Sequence, residues 1–159
     1  PMGIYAGKSS DLNNIPDGAE IAVPSDATNE ARALQLLAAQ GILTLKEGVG
    51  LEATKLDILE NPYNVEILET EAAAIPRTLP DVDFAVINGN YALDGGVIDK
   101  ILVTESADAE GAQKFANVIA VRQGDEDRPE IQALIKALTS EATRQFITEN
   151  YGANVLPAF

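Results

Sequence analysis

The 159-residue sequence predicts an α/β layered fold with a largely parallel sheet, on three observations. Ile21-Ala22-Val23 reads as a short apolar strand that passes through a polar turn into an amphipathic helix. Phe84-Ala85-Val86-Ile87 is apolar at every position, as expected of a strand covered on both faces. Further strand candidates at 65–69, 101–104 and 118–121 alternate with helical patterns.

In chain order, Gly3 to Ala6 is a short strand, and Ser10 to Asp17 a loop or helical turn ending at Pro16-Asp17-Gly18. The triplet Gly7-Lys8-Ser9 suggests a phosphate loop, but that pattern needs a glycine five residues earlier, where Met2 stands. After Val23, the residues Ser25, Asp26, Thr28 and Asn29 crowd a helix start whose first N–H groups lack internal partners. The helix from about Asn29 to Gln40 carries Leu34, Leu37 and Ala38 on one face, and Gly41 suits the position just past its end. A short helix is expected over Ala53 to Asn61, capped by Thr54 and stopped at Asn61-Pro62. Val65 to Glu69 alternates as a half-buried strand, and Glu71 to Leu79 reads as an alanine-rich helix with Pro76 blurring its ends. Ile101 to Thr104 and Val118 to Val121 are strand candidates. A helix begins near Asp127-Arg128-Pro129, with Asp127 as the expected cap, and Ser140 caps a last helix carrying Phe146 and Ile147.

Composition excludes several classes of function. There is no cysteine, hence no disulfide framework and no thiolate metal site, and no histidine, the commonest general base. The net charge of -14 is wrong for nucleic acid and for an anionic membrane surface. Asp125-Glu126-Asp127 lacks calcium-loop spacing, and Asp81 and Asp83 read as solvated acids beside a strand. No serine has a histidine to activate it or lies in a nucleophile elbow, and no local pattern supports a Ser–Lys or carboxylate-only mechanism, so neither an enzyme, a metal nor a cofactor is expected.

Two places meet the requirement that ligands of open α/β sheets sit beyond the carboxyl ends of strands. One is the turn after Val23, with Thr28, Asn29 and Arg32. Arg32 lies near a helix N-terminus, where a cation opposes the dipole; it either pairs with Glu30 or a surface acid, or holds a ligand carboxylate. The other is Asn88-Gly89-Asn90-Tyr91, which reads equally as a tight turn and as a carboxamide able to hold either end of a zwitterion.

Several long stretches, in order, resemble the MetQ/NlpA-type methionine-binding lipoproteins of bacterial ABC importers. They are Pro1 to Tyr5, Ala22 to Leu34, Ala85 to Ala92, Glu105 to Asp108, Phe115 to Arg122 and Val155 to Phe159. The resemblance implies a two-lobed fold of the type II periplasmic-binding class, closing on its ligand at a hinge. Residues 17–106 would form the central lobe. Residues 1–16 and 107–159 would hold the crossover strands and the C-terminal part of the other lobe. The chain reads as a fragment: the family's upstream segment, with its lipid-anchor cysteine and the aromatic groups around the methionine side chain, has no counterpart here.

The resemblance further implies that Arg32 binds the ligand α-carboxylate with Asn29 beside it, and that Asn88 and Asn117 hydrogen-bond the head group. Thr28, Asn90 and Tyr91 adjoin these positions as candidates to line the cleft. The implied ligand is L-methionine, D-methionine or a methionine-containing short peptide. The implied partners are an ABC permease and either the missing N-terminal segment or a second copy of the chain. The implied location is the outer face of the bacterial cell membrane, with no nucleic acid involved. A different small amino acid or peptide as ligand, or a surface interaction module on the same fold, is the alternative.

Overall fold

The computed structural model describes residues 1–106, 109, 113–152 and 155–159. Its centre is a five-stranded sheet in the order β5-β2-β6-β1-β7: β1 is Met2–Ala6, β2 Glu20–Pro24, β5 Glu66–Thr70, β6 Phe84–Asn88 and β7 Ile101–Thr104. The sheet is partly parallel. β2 runs parallel to β5 and β6, whereas β1 is antiparallel to both β6 and β7. A two-stranded ribbon, β3 Thr44–Leu45 with β4 Ile58–Glu60, lies apart from it.

Alternation along each strand assigns the two faces. Met2, Ile4, Ile21, Val23, Phe84 and Val86 join one buried cluster with Leu34 and Leu37 of α1, Ala27–Ala39. Tyr5, Ala22, Ala85 and Ile87 join the other, with Ile75 of α2, Ile75–Thr78, and Ala92 of α3, Gly89–Asp94. The apolar run Phe84 to Ile87 is buried throughout, because helices cover both faces at β6.

The segment β2–turn–α1 follows its sequence signals closely. Asp26 caps α1, its carboxylate accepting the Asn29 N–H at 3.0 Å. Past the C-cap Gln40, the Gly41 N–H donates to Ala38 and the Ile42 N–H to Leu37, a pairing that needs the left-handed turn Gly41 supplies at φ +70°. Gly7 also has a clear role, though no phosphate-binding one: a Cβ there would lie 2.2 Å from the Val82 carbonyl oxygen, so the chain can leave β1 only along a side-chain-free path.

Four secondary-structure expectations change. The helix expected over Ala53 to Asn61 is only a 3-10 turn, Lys55–Asp57, closed by a capping box between Thr54 and Asp57; the chain then straightens into β4 because β3 offers it a ladder. The helix expected from Glu71 shortens to α2 and a 3-10 turn, Leu79–Asp81, since Pro76 and Pro80 cannot donate to the preceding turn. No strand forms over Val118 to Val121. That stretch finds no ladder partner among the described residues, and Val118 is 83% exposed. Arg128, not Asp127, occupies the cap of α4, Pro129–Leu138, because Pro129 at the first helical position already removes one free donor.

Asp83 is not a solvated acid either: its two oxygens accept from Ser9 Oγ at 2.9 Å and from the Glu20 N–H at 3.0 Å, tying β1's exit to β2's entry. Ser140 caps α5, Glu141–Tyr151, as its position suggests. Neither α4 nor α5 buries a residue, and Leu134, Leu138 and Phe146 stay 44–56% exposed.

Candidate functional site

Strand direction gathers the site. The parallel strands β2 and β6 end on the same edge of the sheet, and two antiparallel steps through β1 bring β7 to that edge as well. Met2 of β1 stands opposite Asn88, the last residue of β6, while Gly3 stands opposite Thr104, the last residue of β7. The start of α1, the end of β6 and the residue after β7 therefore meet, although Arg32 and Glu105 lie 73 positions apart and Asn29 and Asn88 59. Asn88 shares the parity of Phe84 and Val86, which turns its side chain toward the α1 face.

Arg32 is the hub. Its Nε donates to Glu105 Oε1 at 3.3 Å, its Nη2 to Glu105 Oε2 at 2.6 Å and its Nη1 to Asn29 Oδ1 at 3.3 Å. The two charged side chains are only 11% and 6% exposed. Glu105 Oε2 also accepts the Met2 N–H at 3.1 Å, and the Glu105 N–H donates to the Met2 carbonyl at 2.7 Å. A guanidinium has five N–H groups, so three of these bonds leave two donors on Arg32 for another acceptor. The guanidinium carbon also lies 5.9 Å from the centre of the Phe115 ring, within cation–π range.

Asn29 and Asn88 complete the wall. Asn29 Nδ2 donates to both oxygens of Asp26, at 3.0 and 3.1 Å, and Asn29 Oδ1 accepts from Asn88 Nδ2 at 2.9 Å. Asn88 Oδ1 is buried and has no hydrogen-bond partner among the described residues. A buried carbonyl oxygen without a donor costs about 1–3 kcal/mol, so this atom marks a place where a donor is wanted. Beside the wall, a pocket of about 320 Å³ opens between α1 and the end of β7, bordered by Arg32, Leu36, Ala39, Leu51 and Glu105.

Glu30, one residue from Asn29, faces elsewhere. It is 7% exposed, accepts the Lys55 N–H at 3.3 Å and lies near Glu69, which pairs with Lys55 at 2.7 Å. Burial pushes the Glu30 carboxyl above its ordinary range, opposed by the Lys55 N–H and reinforced by the Glu69 charge. Glu30 is therefore not the partner of Arg32.

Of the residues singled out in the sequence, Asn29, Arg32 and Asn88 come together. Thr28 and Asn90 are exposed at the starts of α1 and α3. Tyr91 packs into the cluster on the opposite face and borders a separate hollow with Pro76, Arg77 and Asp94. Asn117 is exposed in the irregular segment after Phe115 and, among the described residues, makes no hydrogen bond to the other three. Glu105 and Asp26 were not singled out as site residues. For Asp26 the cap position was a usable signal, whereas for Glu105 only the register of β1 against β7 reveals the partner. Among the described residues, no group of acids is placed to hold a metal ion.

A mixed α/β fold with a polar wall at its strand ends has the arrangement in which open α/β sheets hold small ligands. The NlpA lipoprotein family matches across residues 1–159, and the chain is a member of it. The chain is 37% identical, over 146 residues, to the D-methionine-binding lipoprotein MetQ of Escherichia coli, covering 89% of this chain and 52% of that protein. Among solved structures it resembles a nutrient-binding protein of Burkholderia cenocepacia bound to methionine. There the TM-score is 0.88 at 42% identity, with 100% of this chain and 66% of that one covered. An ABC transporter periplasmic substrate-binding protein of Coxiella burnetii gives 0.87 at 41% identity, covering 99% and 66%. The chain spans 52–59% of the length of the curated relatives it matches. No helix among the described residues is long and apolar enough to cross a membrane.

Proposed function

We propose that this chain is part of a substrate-binding protein that captures L-methionine, or D-methionine or a methionine-containing short peptide, and delivers it to an ABC importer. One observation carries the reading: two free Arg32 donors and the unpartnered Asn88 Oδ1 lie on one wall, a match for a carboxylate and an ammonium on one small molecule. Arg32 takes the carboxylate, held in place by Glu105, and Asn88 takes the amino end. Asn117 joins the head-group set when the protein closes.

Residues 17–106 act as the central lobe, entered through β1. Residues 107–159 belong with the other lobe, and sequence beyond this chain supplies the rest of that lobe, the apolar wall for the ligand side chain, and the lipid anchor that holds the protein outside the cell membrane next to its permease. The open apolar faces of α4 and α5 support this, since they need a partner to cover them. Mass spectrometry of small molecules released by denaturing the complete protein tests the reading. Methionine or a methionine peptide is expected, and a different amino acid or an empty cleft would overturn it.

A further inference from the structure

We infer that Asn29 is a positioning residue rather than a ligand contact: it locks the Asn88 carboxamide so that an acceptor, never a donor, faces the ligand's amino end. The inference rests on the amino-acid reading above and gives that site its basis for selecting a free ammonium.

The argument is one of hydrogen-bond polarity. An ionised carboxylate only accepts, and a guanidinium only donates. Asn29 lies between one of each: the Asp26 oxygens are 3.0 and 3.1 Å from its Nδ2, and Arg32 Nη1 is 3.3 Å from its Oδ1. Turning the Asn29 amide over would set its N–H groups against Arg32 and its oxygen against Asp26. Both ends forbid that, so the orientation of Asn29 is fixed. Asn29 Oδ1 is then the only atom it offers to Asn88, 2.9 Å away, and Asn88 must answer with Nδ2. The remaining atom of Asn88 is consequently the oxygen, and it is the buried side-chain atom without a partner among the described residues.

Asn29 itself has little left to offer a ligand. Both lone pairs of its oxygen are engaged by Arg32 and Asn88, and its Nδ2 is held by Asp26. Ordinarily an asparagine facing a ligand could present either end, and the site would read donors and acceptors alike. Here the acid of the helix cap and the arginine on the next turn decide the matter two side chains away. The same arginine thus serves twice, offering donors to the carboxylate and enforcing the acceptor that meets the ammonium.

Calorimetry on the complete, ligand-stripped protein can compare L-methionine with its des-amino analogue, which keeps the carboxylate and thioether. Wild type should prefer methionine, and Asn29→Ala should reduce that preference by about tenfold or more. The double variant Asn29→Ala with Asn88→Ala should reduce it no further than Asn88→Ala alone, because a residue acting through another is not additive with it. Equal weakening of both ligands, or additive losses, overturns the inference. A ligand-free measurement decides the case if neither compound binds wild type, a result that would sink the transport reading alone. By heteronuclear NMR the Asn88 side-chain amide protons should exchange about tenfold more slowly than those of exposed Asn90, and Asn29→Ala should abolish that protection. Unprotected Asn88 protons in wild type would overturn the locked amide.

Discussion

Arg32 and Glu105 form a two-point ion pair across 73 positions of sequence, Nη2 to Oε2 at 2.6 Å and Nε to Oε1 at 3.3 Å. The pairing uses the side edge of the guanidinium, and the far edge keeps its free N–H groups. In the proposed site Glu105 would thus hold the arginine for a ligand instead of competing with one. The backbone bonds between Glu105 and Met2 hold the acid in turn, so the edge of the sheet, and not a loop, fixes the donor geometry.

Replacing Arg32 should disable capture. A desolvated charge pair that loses one partner typically costs about 2–5 kcal/mol of binding. Arg32→Ala in the complete protein is expected to weaken methionine binding by at least about tenfold, or 1.4 kcal/mol. Titration calorimetry showing unchanged affinity would remove Arg32 from the site.

Glu105 tests the same pair from the side of stability. Removing one member of a buried ion pair leaves an uncompensated charge and costs about 3–5 kcal/mol. Glu105→Ala should therefore lower the urea midpoint strongly. Lys8→Ala, at an ion pair whose side chains are 50% and 40% exposed, should hardly move it. Equal midpoints for the two variants would show that the Arg32–Glu105 pair does not hold the lobe together.

Glu30 predicts a pH dependence. Its carboxyl is raised from an ordinary 4.5 by burial, so the folded state disfavours the ionised form. With a folded pKa above the unfolded one, the group's penalty is absent below pH 4.5 and grows as pH rises through the raised value. Glu30→Gln should match wild type in acid and exceed it at neutral pH, because Gln still accepts the Lys55 N–H. Denaturation curves that stay parallel across pH 4 to 8, approximately, would contradict this.

The isolated chain should behave as an incomplete protein. Leu134, Leu138, Phe146 and Val118 expose apolar surface that a complete two-lobed protein would cover. Self-association by light scattering is expected, together with methionine binding weaker than about micromolar, if, as proposed, sequence beyond this chain supplies the wall for the side chain. A compact monomer that binds tightly would mean the pocket is complete as it stands.

What the sequence made legible was local. The β2–turn–α1 unit, its Asp26 cap, the Gly41 stop and the doubly covered β6 each depend on neighbours a few residues away, and each has a side-chain signature. Arg32 and Asn88 could be picked out as candidates because one lies in the helix that β2 leads into and the other ends β6. Glu105 could not, since nothing around it distinguishes a surface acid from one that meets Met2 and Arg32 across two ladders. Asp83 looks solvated in the sequence for the same reason: its partners, Ser9 and Glu20, are 74 and 63 positions away. Apolar composition alone suggested a strand at Val118 to Val121, and a strand needs a partner as much as a pattern.

The interior place of β1 also bears on when this lobe can assemble. Its neighbours are β6 and β7, so among the described strands β1 gains its first partner only when the chain has extended to Asn88 and its second only at Thr104. The β2–α1–β5 unit, by contrast, closes within fifty residues or so and can form while β1 is still unpaired. Pulse-labelled hydrogen exchange should find amides of β2 protected before those of β1. The opposite order would show that the long loop closes first. Since Met2 and Glu105 meet only once β7 lies against β1, the proposed binding wall would be completed by that late pairing and not by the early β2–α1–β5 unit.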